Sequence, residues 1–231
     1  MCLRRNVPPR RDQRDVAASG RRRVAHLLAG LGLMWASGHG PAAAAVRVPV
    51  ILAFGDSLTA GLGLPQNEAF PAQLQARLAA LGVTARVVNA GISGDTTADG
   101  RARLDWALAD KPDLVILELG ANDMLRGIDP QLTRGNLAAM IAEIRKSGAK
   151  VLLAGMKAAP NWGARYQKSF DRIYPELAQE DHVALYPFFL DGVAMDPALN
   201  QADGLHPTAK GVAVVADRIA PYVVRLIGGR P

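Results

Sequence analysis

Gly55-Asp56-Ser57-Leu58 follows directly on the apolar run Val48-Pro49-Val50-Ile51-Leu52-Ala53-Phe54. A buried strand that ends on glycine and hands over a small hydroxyl residue presents that hydroxyl at the strand's carboxyl end, where open α/β sheets place their sites. A serine hydroxyl is a weak nucleophile and needs a base beside it. Asp203-Gly204-Leu205-His206-Pro207 supplies one. His206 suits proton transfer near neutral pH. Asp203, three residues earlier, can sit on the same turn, accept a hydrogen bond from the imidazole and stabilise its charged form. Between the two lie Ser93-Gly94-Asp95 and Gly120-Ala121-Asn122-Asp123. Gly94 lets a backbone N–H approach a ligand closely, and Asn122 carries a side-chain amide that can donate. With the Ser57 N–H they form a candidate oxyanion-binding set. The chemistry these types support is acyl transfer through a covalent serine intermediate.

Each residue also has a plainer use. Ser57 could be a helix N-cap, Asp203 and Asn122 turn residues, and Gly94 a turn glycine. Asp56, Asp95 and Asp123 each adjoin a candidate catalytic residue. They could form a three-carboxylate metal site, but structural hydrogen bonds to the surrounding loops are the favoured reading. His182, in Glu180-Asp181-His182, has no apolar strand before it and reads as a solvated surface histidine.

These residues need a frame to bring them together. Apolar, strand-like runs occur at 48–54, 85–89, 114–119, 151–154 and 184–189. The first and third are nearly continuous in apolar residues, as strands buried on both faces are. Between them lie stripes at helical spacing: Leu74, Leu78 and Leu81; Leu137, Met140, Ile141 and Ile144; Val212, Val215, Ile219 and Val223. Gly82 and Gly148 mark helix ends. Pro207 is placed to open the last helix. The alternation predicts an α/β fold, a parallel sheet with helices on both faces. All strand carboxyl ends then share one edge, so Ser57, Gly94, Asn122 and His206 converge there.

Charge divides the chain in two. Residues 1–45 carry eight Arg and two Asp; residues 46–231 carry nineteen Lys and Arg against nineteen Asp and Glu. The net charge of +6 therefore resides in the extension, and the globular part has no basic footprint for nucleic acid. Arg21-Arg22-Arg23, the apolar stretch from Val24 to Ala36 and Ala43-Ala44-Ala45 before Val46 read as an export signal with its cleavage site. The stretch is too short for a transmembrane helix, which needs about 20 residues. Residues 46–231 are expected to form one domain, periplasmic or secreted. Cys2, the single cysteine, has no apolar lipobox before it, so no lipid anchor is expected. A chain cleaved before Val46 has no cysteine, which excludes disulfides and thiolate chemistry.

Ser57, Gly94, Asn122 and His206, in their four motifs and in this order, resemble the GDSL or SGNH hydrolases. Asn89-Ala90-Gly91-Ile92-Ser93-Gly94-Asp95-Thr96, Ala159-Pro160-Asn161-Trp162-Gly163 and Tyr186-Pro187-Phe188-Phe189 are similar to the branch of multifunctional periplasmic thioesterases, lysophospholipases and arylesterases. The resemblance implies a three-layer, flavodoxin-like fold with a five-stranded parallel sheet in the order 2-1-3-4-5. It implies ester and thioester hydrolysis through Ser57, His206 and Asp203, without metal or cofactor. It also implies that the loop Met124-Leu125-Arg126-Gly127-Ile128 touches the acyl chain. Leu125, Arg126 and Ile128 of this loop, with Met156 near another strand end, are the candidate substrate contacts, and apolar Leu125, Ile128 and Met156 suit a fatty-acyl or aryl group. Many members carry Gly-Gly-Asn-Asp where this chain has Gly120-Ala121-Asn122-Asp123. A carbohydrate O-deacetylase of the same fold and a binding protein without catalysis are the alternatives.

Overall fold

A computed structural model describes residues 47–228. The export signal expected in residues 1–45 lies outside them. The described chain runs β1 (Val50–Gly55), α1 (Ser57–Ala60), α2 (Phe70–Ala80), β2 (Arg86–Gly91), α3 (Thr97–Leu108), β3 (Leu114–Glu118), α4 (Ala121–Leu125), α5 (Pro130–Lys146), β4 (Lys150–Ala154), α6 (Gly163–Asp171), α7 (Ile173–Glu180), β5 (Ala184–Tyr186) and α8 (Ala209–Leu226). The five strands are parallel, in the order β2-β1-β3-β4-β5.

β1 and β3, neighbours at the centre, are buried along almost their whole length, as their unbroken apolar runs require. The edge strand β2 is only partly buried. The chain leaves β1 toward one edge of the sheet and β3 toward the other. Right-handed crossovers then place α2 on one face and α3, α5 and α7 on the other. α2 packs against α8, while α3 and α7 pack against α5. The reversal leaves a crevice beyond the carboxyl ends of β1 and β3, the switch point where such sheets bind ligands. Ser57 follows one of these strands and Asn122 the other.

The helical stripes hold with one exception. Leu74 and Leu78 are buried, as are Leu137, Met140, Ile141, Ile144, Val212, Val215, Ile219 and Val223. Leu81 is exposed, because α2 stops at Ala80 and Gly82 turns the chain away at φ +74°. β1 starts at Val50 rather than 48: Pro49 has no N–H for a ladder. β5 ends at Tyr186, before Pro187, although the Phe189 N–H still reaches the Gly155 carbonyl at 2.8 Å. α8 does not start at Pro207. That proline bridges Asn200 in antiparallel fashion, and the Thr208 side chain caps the helix by accepting the Gly211 N–H. Among the described residues no helix is long and apolar enough to cross a membrane.

Candidate active site

β1 closes on a position that only glycine can fill. A Cβ on Gly55 would come within 2.2 Å of the Thr59 hydroxyl and 2.4 Å of the Glu118 carboxyl. The chain then turns straight into the single helical turn α1. Asp56, not Ser57, is its N-cap, with Oδ1 accepting the Leu58 N–H at 3.0 Å. Ser57 is the first helical residue. Its N–H has no intrahelical acceptor, and its hydroxyl faces the crevice. Gly61, at φ +83°, ends the helix immediately.

His206 meets this serine from the other end of the chain, Nε2 lying 2.8 Å from Ser57 Oγ. Its orientation comes from a turn it shares with Asp203. Asp203 Oδ1 accepts the backbone N–H groups of Leu205 at 2.9 Å and His206 at 3.0 Å. Oδ2 stands 2.6 Å from His206 Nδ1. With Nδ1 facing a carboxylate, the network assigns the ring proton to Nδ1 and leaves Nε2 free to accept from the serine. The His206 and Leu205 N–H groups, with help from the imidazole, hold the Asp203 carboxyl down at about 2. Gln201 locks the turn: its N–H reaches the His206 carbonyl at 2.7 Å, and its side-chain amide reaches the carbonyls of Pro207 and Leu62 at 2.9 and 2.8 Å.

The candidate oxyanion donors stand on two further loops. Gly94, at φ +90°, lies at the tip of the turn after β2. Among the described residues neither its N–H nor that of Ser57 has a protein acceptor. Asn122 is placed differently. Its Nδ2 donates to Asp56 Oδ2 at 3.1 Å and to the Asp95 carbonyl at 3.0 Å. Both amide hydrogens are thus engaged in bracing the loops that carry Ser57 and Gly94. A third partner requires sharing or releasing one of these bonds.

The three aspartates beside these residues serve separate networks. Asp56 caps α1 and holds Asn122. Asp95 accepts from Arg103 Nε at 2.6 Å. Asp123 accepts from the Thr97 N–H and hydroxyl, at 2.8 and 2.5 Å, and from the Thr133 hydroxyl at 3.1 Å. Among the described residues no cluster of three or more His, Cys, Asp or Glu could hold a metal ion.

Beneath the serine lie two buried carboxyls, which the sequence did not reveal as a pair. Glu118, at the end of β3, is fully buried. Its Oε2 accepts from the Thr59 hydroxyl at 2.7 Å, and its Oε1 has no partner among the described residues. Burial and the neighbouring Asp56 push its carboxyl well above the usual range. Burial also raises Asp56, to about 6, against the hydrogen bonds from the Leu58 N–H and the Asn122 amide and the charge of the nearby His206, which favour its ionised form.

Ser57, Gly94, Asn122 and His206 open into one groove of about 470 Å³ with largely apolar walls. Leu125 and Met156 line it, together with Leu62, Met124, Phe188 and Met195. The other two candidate contacts do not. Arg126 turns its guanidinium onto the Gly94 carbonyl at 2.7 Å. The Ile128 carbonyl accepts the Tyr166 hydroxyl at 2.9 Å, on the side of the loop held by α6. His182 is exposed, in the turn between α7 and β5.

Comparison with known proteins shows what the chain as a whole is similar to. The profile of the GDSL-like lipase/acylhydrolase family matches residues 53–214. Esterase TesA of Pseudomonas aeruginosa is 46% identical over 77% of this chain and 89% of its own. Thioesterase 1/protease 1/lysophospholipase L1 of Escherichia coli is 38% identical over 79% of this chain and 87% of its own. The crystal structure of TesA superposes with a TM-score of 0.73, covering 77% of this chain and 99% of that one. The chain therefore belongs to the GDSL-like lipase/acylhydrolase family.

Proposed function

We propose that this protein hydrolyses carboxylic esters and thioesters of fatty-acyl or aryl groups, with Ser57 as nucleophile, His206 as base and Asp203 as orienting carboxylate. The observation that carries the reading is the hydrogen-bonded chain Asp203–His206–Ser57, at 2.6 and 2.8 Å, opening on an apolar groove. The relatives named as esterase, arylesterase and thioesterase 1/lysophospholipase L1 support it.

His206 Nε2 takes the hydroxyl proton as Ser57 Oγ bonds to the acyl carbon and the carbonyl electron pair moves onto oxygen. The oxyanion is met by the N–H groups of Ser57 and Gly94, both free of other acceptors, and the N-terminal end of α1 adds a favourable field. Asn122 joins by sharing an amide hydrogen. Collapse of the tetrahedral species breaks the bond to the alkoxy or thio leaving group, which departs with the proton from His206. Water then attacks the acyl-serine, giving its proton to His206, and Ser57 leaves with that proton. An apolar groove suits the acyl chain and leaves little polar surface for a sugar. Export remains our reading of residues 1–45.

The test is a p-nitrophenyl ester series from acetate to palmitate, run on the protein beginning at Val46. Turnover that disappears in Ser57→Ala supports the nucleophile, and the chain-length optimum measures the groove. A folded protein inert on every ester, and on acyl thioesters, removes the proposal.

A further inference from the structure

Two oxyanion donors, the N–H groups of Ser57 and Gly94, hang from the ends of different strands. Gly94 itself has room, since a Cβ there would meet only Arg126 Nη2 at 3.9 Å, and it is tied directly by the bond from that same nitrogen to its carbonyl at 2.7 Å. Its N–H is placed through the residues around it. The Ile92 N–H binds the Gly55 carbonyl at 3.0 Å, and the Asp95 N–H binds the Ile92 carbonyl at 3.2 Å, closing a tight turn. What holds that turn against β1 is a side chain from the second turn of α3. Arg103 donates from Nε to the Asp95 carboxylate at 2.6 Å, from Nη1 to the Ala90 carbonyl at 2.9 Å and from Nη2 to the Gly55 carbonyl at 2.9 Å. Its guanidinium carbon lies 4.1 Å from the centroid of the Phe54 ring.

We propose that Arg103 is a positioning residue for the oxyanion hole, setting the Gly94 N–H against the Ser57 N–H by tying the ends of β1 and β2 to the Asp95 turn. The inference rests on the serine-hydrolase reading above. All three nitrogens of the guanidinium are used, on three acceptors from three different segments, which fixes its plane, and the group lies over the Phe54 ring. Only a planar fork does this; an ammonium is a single point of attachment. The side chain is 16% exposed, and its carboxylate partner 12%. Its base is equally fixed. Thr96 and Asp99 cap α3 reciprocally, and Thr97 is bound by Asp123. Arg103 touches no part of the groove, so its effect passes through Gly55 and Asp95. Asn122 braces the same two loops from β3, through Asp56 and the Asp95 carbonyl. The donors are thus held from both sides of β1.

The experiment compares wild type, Arg103→Lys and Arg103→Met on p-nitrophenyl butyrate, with the active serines counted by a phosphonate titrant. Rates are then expressed per competent site. Arg103→Met lowers kcat per site by about 10²-fold, the order seen when one oxyanion donor is lost, with KM within about threefold. Arg103→Lys falls between the two, keeping the charge on Asp95 but not all three bonds. The pH profile of kcat/KM stays in place, because the His206–Asp203 pair is untouched. If Arg103→Met melts earlier and shows fewer titratable serines, but kcat per site equals wild type, Arg103 is structural only and the inference falls. A displaced pH profile overturns it as well. If Arg103→Met does not fold, Arg103→Lys decides alone: wild-type kcat per site refutes the inference, a selective loss of kcat supports it. A wild-type protein with no titratable serine removes the hydrolase reading itself, and this inference with it.

Discussion

Ser57 Oγ and His206 Nε2 stand 2.8 Å apart although 149 residues separate them in the chain. The contact needs no long-range reach from either side chain. α1 raises the serine at the end of β1, and the turn before α8 lowers the histidine onto it. Asp203 lies inside that same turn, so the proposed base and its proposed orienting carboxylate arrive as one rigid unit.

That unit has a measurable acid signature. Asp203 sits at about 2, below the ordinary value of 3.8. A carboxyl depressed on folding adds stability above the unfolded value, and that stability is lost as pH falls from about 4 toward 2. The side chain is 45% exposed, so solvent keeps the contribution small. Asp203→Asn flattens the fall of Tm with acid in that window. It also lowers kcat by at least about 10²-fold, since the neutral amide does not stabilise the imidazolium. Thermal melts across pH and steady-state rates check both.

Asp56 acts in the opposite sense. Burial raises it to about 6, so between 3.8 and about 6 the folded protein binds more protons than the unfolded chain, and stability falls as pH rises through this window. Asp56→Asn removes that slope. It also sets one amide against another at Asn122, loosening the brace between the Ser57 and Gly94 loops, and kcat drops by about 10-fold or more. Tm against pH and the rate at a fixed pH read the two effects independently.

Glu118 is held toward its neutral form, so a neutral isostere is a close replacement. Glu118→Gln keeps the acceptor for Thr59 and melts within about 4 °C of wild type. Glu118→Ala leaves a void and a buried hydroxyl without its acceptor, at a cost of about 2–4 kcal/mol. Denaturant titration of both variants measures the difference.

Gly94 and Gly120 both have positive φ, +90° and +118°, yet their surroundings differ. A Cβ on Gly94 has room; one on Gly120 lies 2.2 Å from the buried Tyr174 hydroxyl, which is itself bound to the Leu119 carbonyl. Each alanine carries a backbone strain of about 1–2 kcal/mol. Gly120→Ala adds about 1–3 kcal/mol of overpacking and melts about 4 °C or more below Gly94→Ala. Gly94→Ala, though the more stable, loses kcat through its displaced N–H. Calorimetry and rates together separate the two glycines.

If the groove holds the acyl chain as proposed, its walls set the chain-length optimum. Leu125 and Met156 both line the groove, Met156 buried and Leu125 half in solvent. Met156→Trp fills the deeper part and moves the optimum toward shorter p-nitrophenyl esters with the acetate rate little changed. Leu125→Asp, at the mouth, raises KM for long chains more than for short ones.

The central strands were legible because burial on both faces leaves an unbroken apolar signature. The Ser57 and His206 motifs were legible because each combines local geometry with chemistry. What escaped was either local termination or long-range bonding. Leu81 shares the stripe of Leu74 and Leu78 but falls after the helix has ended, and Pro207 is drawn into a bridge with Asn200 before α8 begins. Ile128 is apolar and close in sequence to Leu125, yet the loop turns between them at Gly127, φ +64°. Arg103 and Glu118 carry no motif: their roles exist only once β1, β2, β3 and α3 are side by side. Asp56, Asp95 and Asp123 were legible as loop anchors from their positions, but their partners, Asn122, Arg103 and Thr97, came from the fold.

The most direct test of the account is the covalent intermediate. A slowly deacylating p-nitrophenyl ester is mixed with the protein, and intact mass and peptide mapping are recorded during turnover. The account predicts a burst of p-nitrophenol matching the titratable sites, one acyl group per chain on the peptide holding Ser57, and neither signal in Ser57→Ala. Undiminished turnover in Ser57→Ala, or an acyl group trapped on another residue, would contradict it.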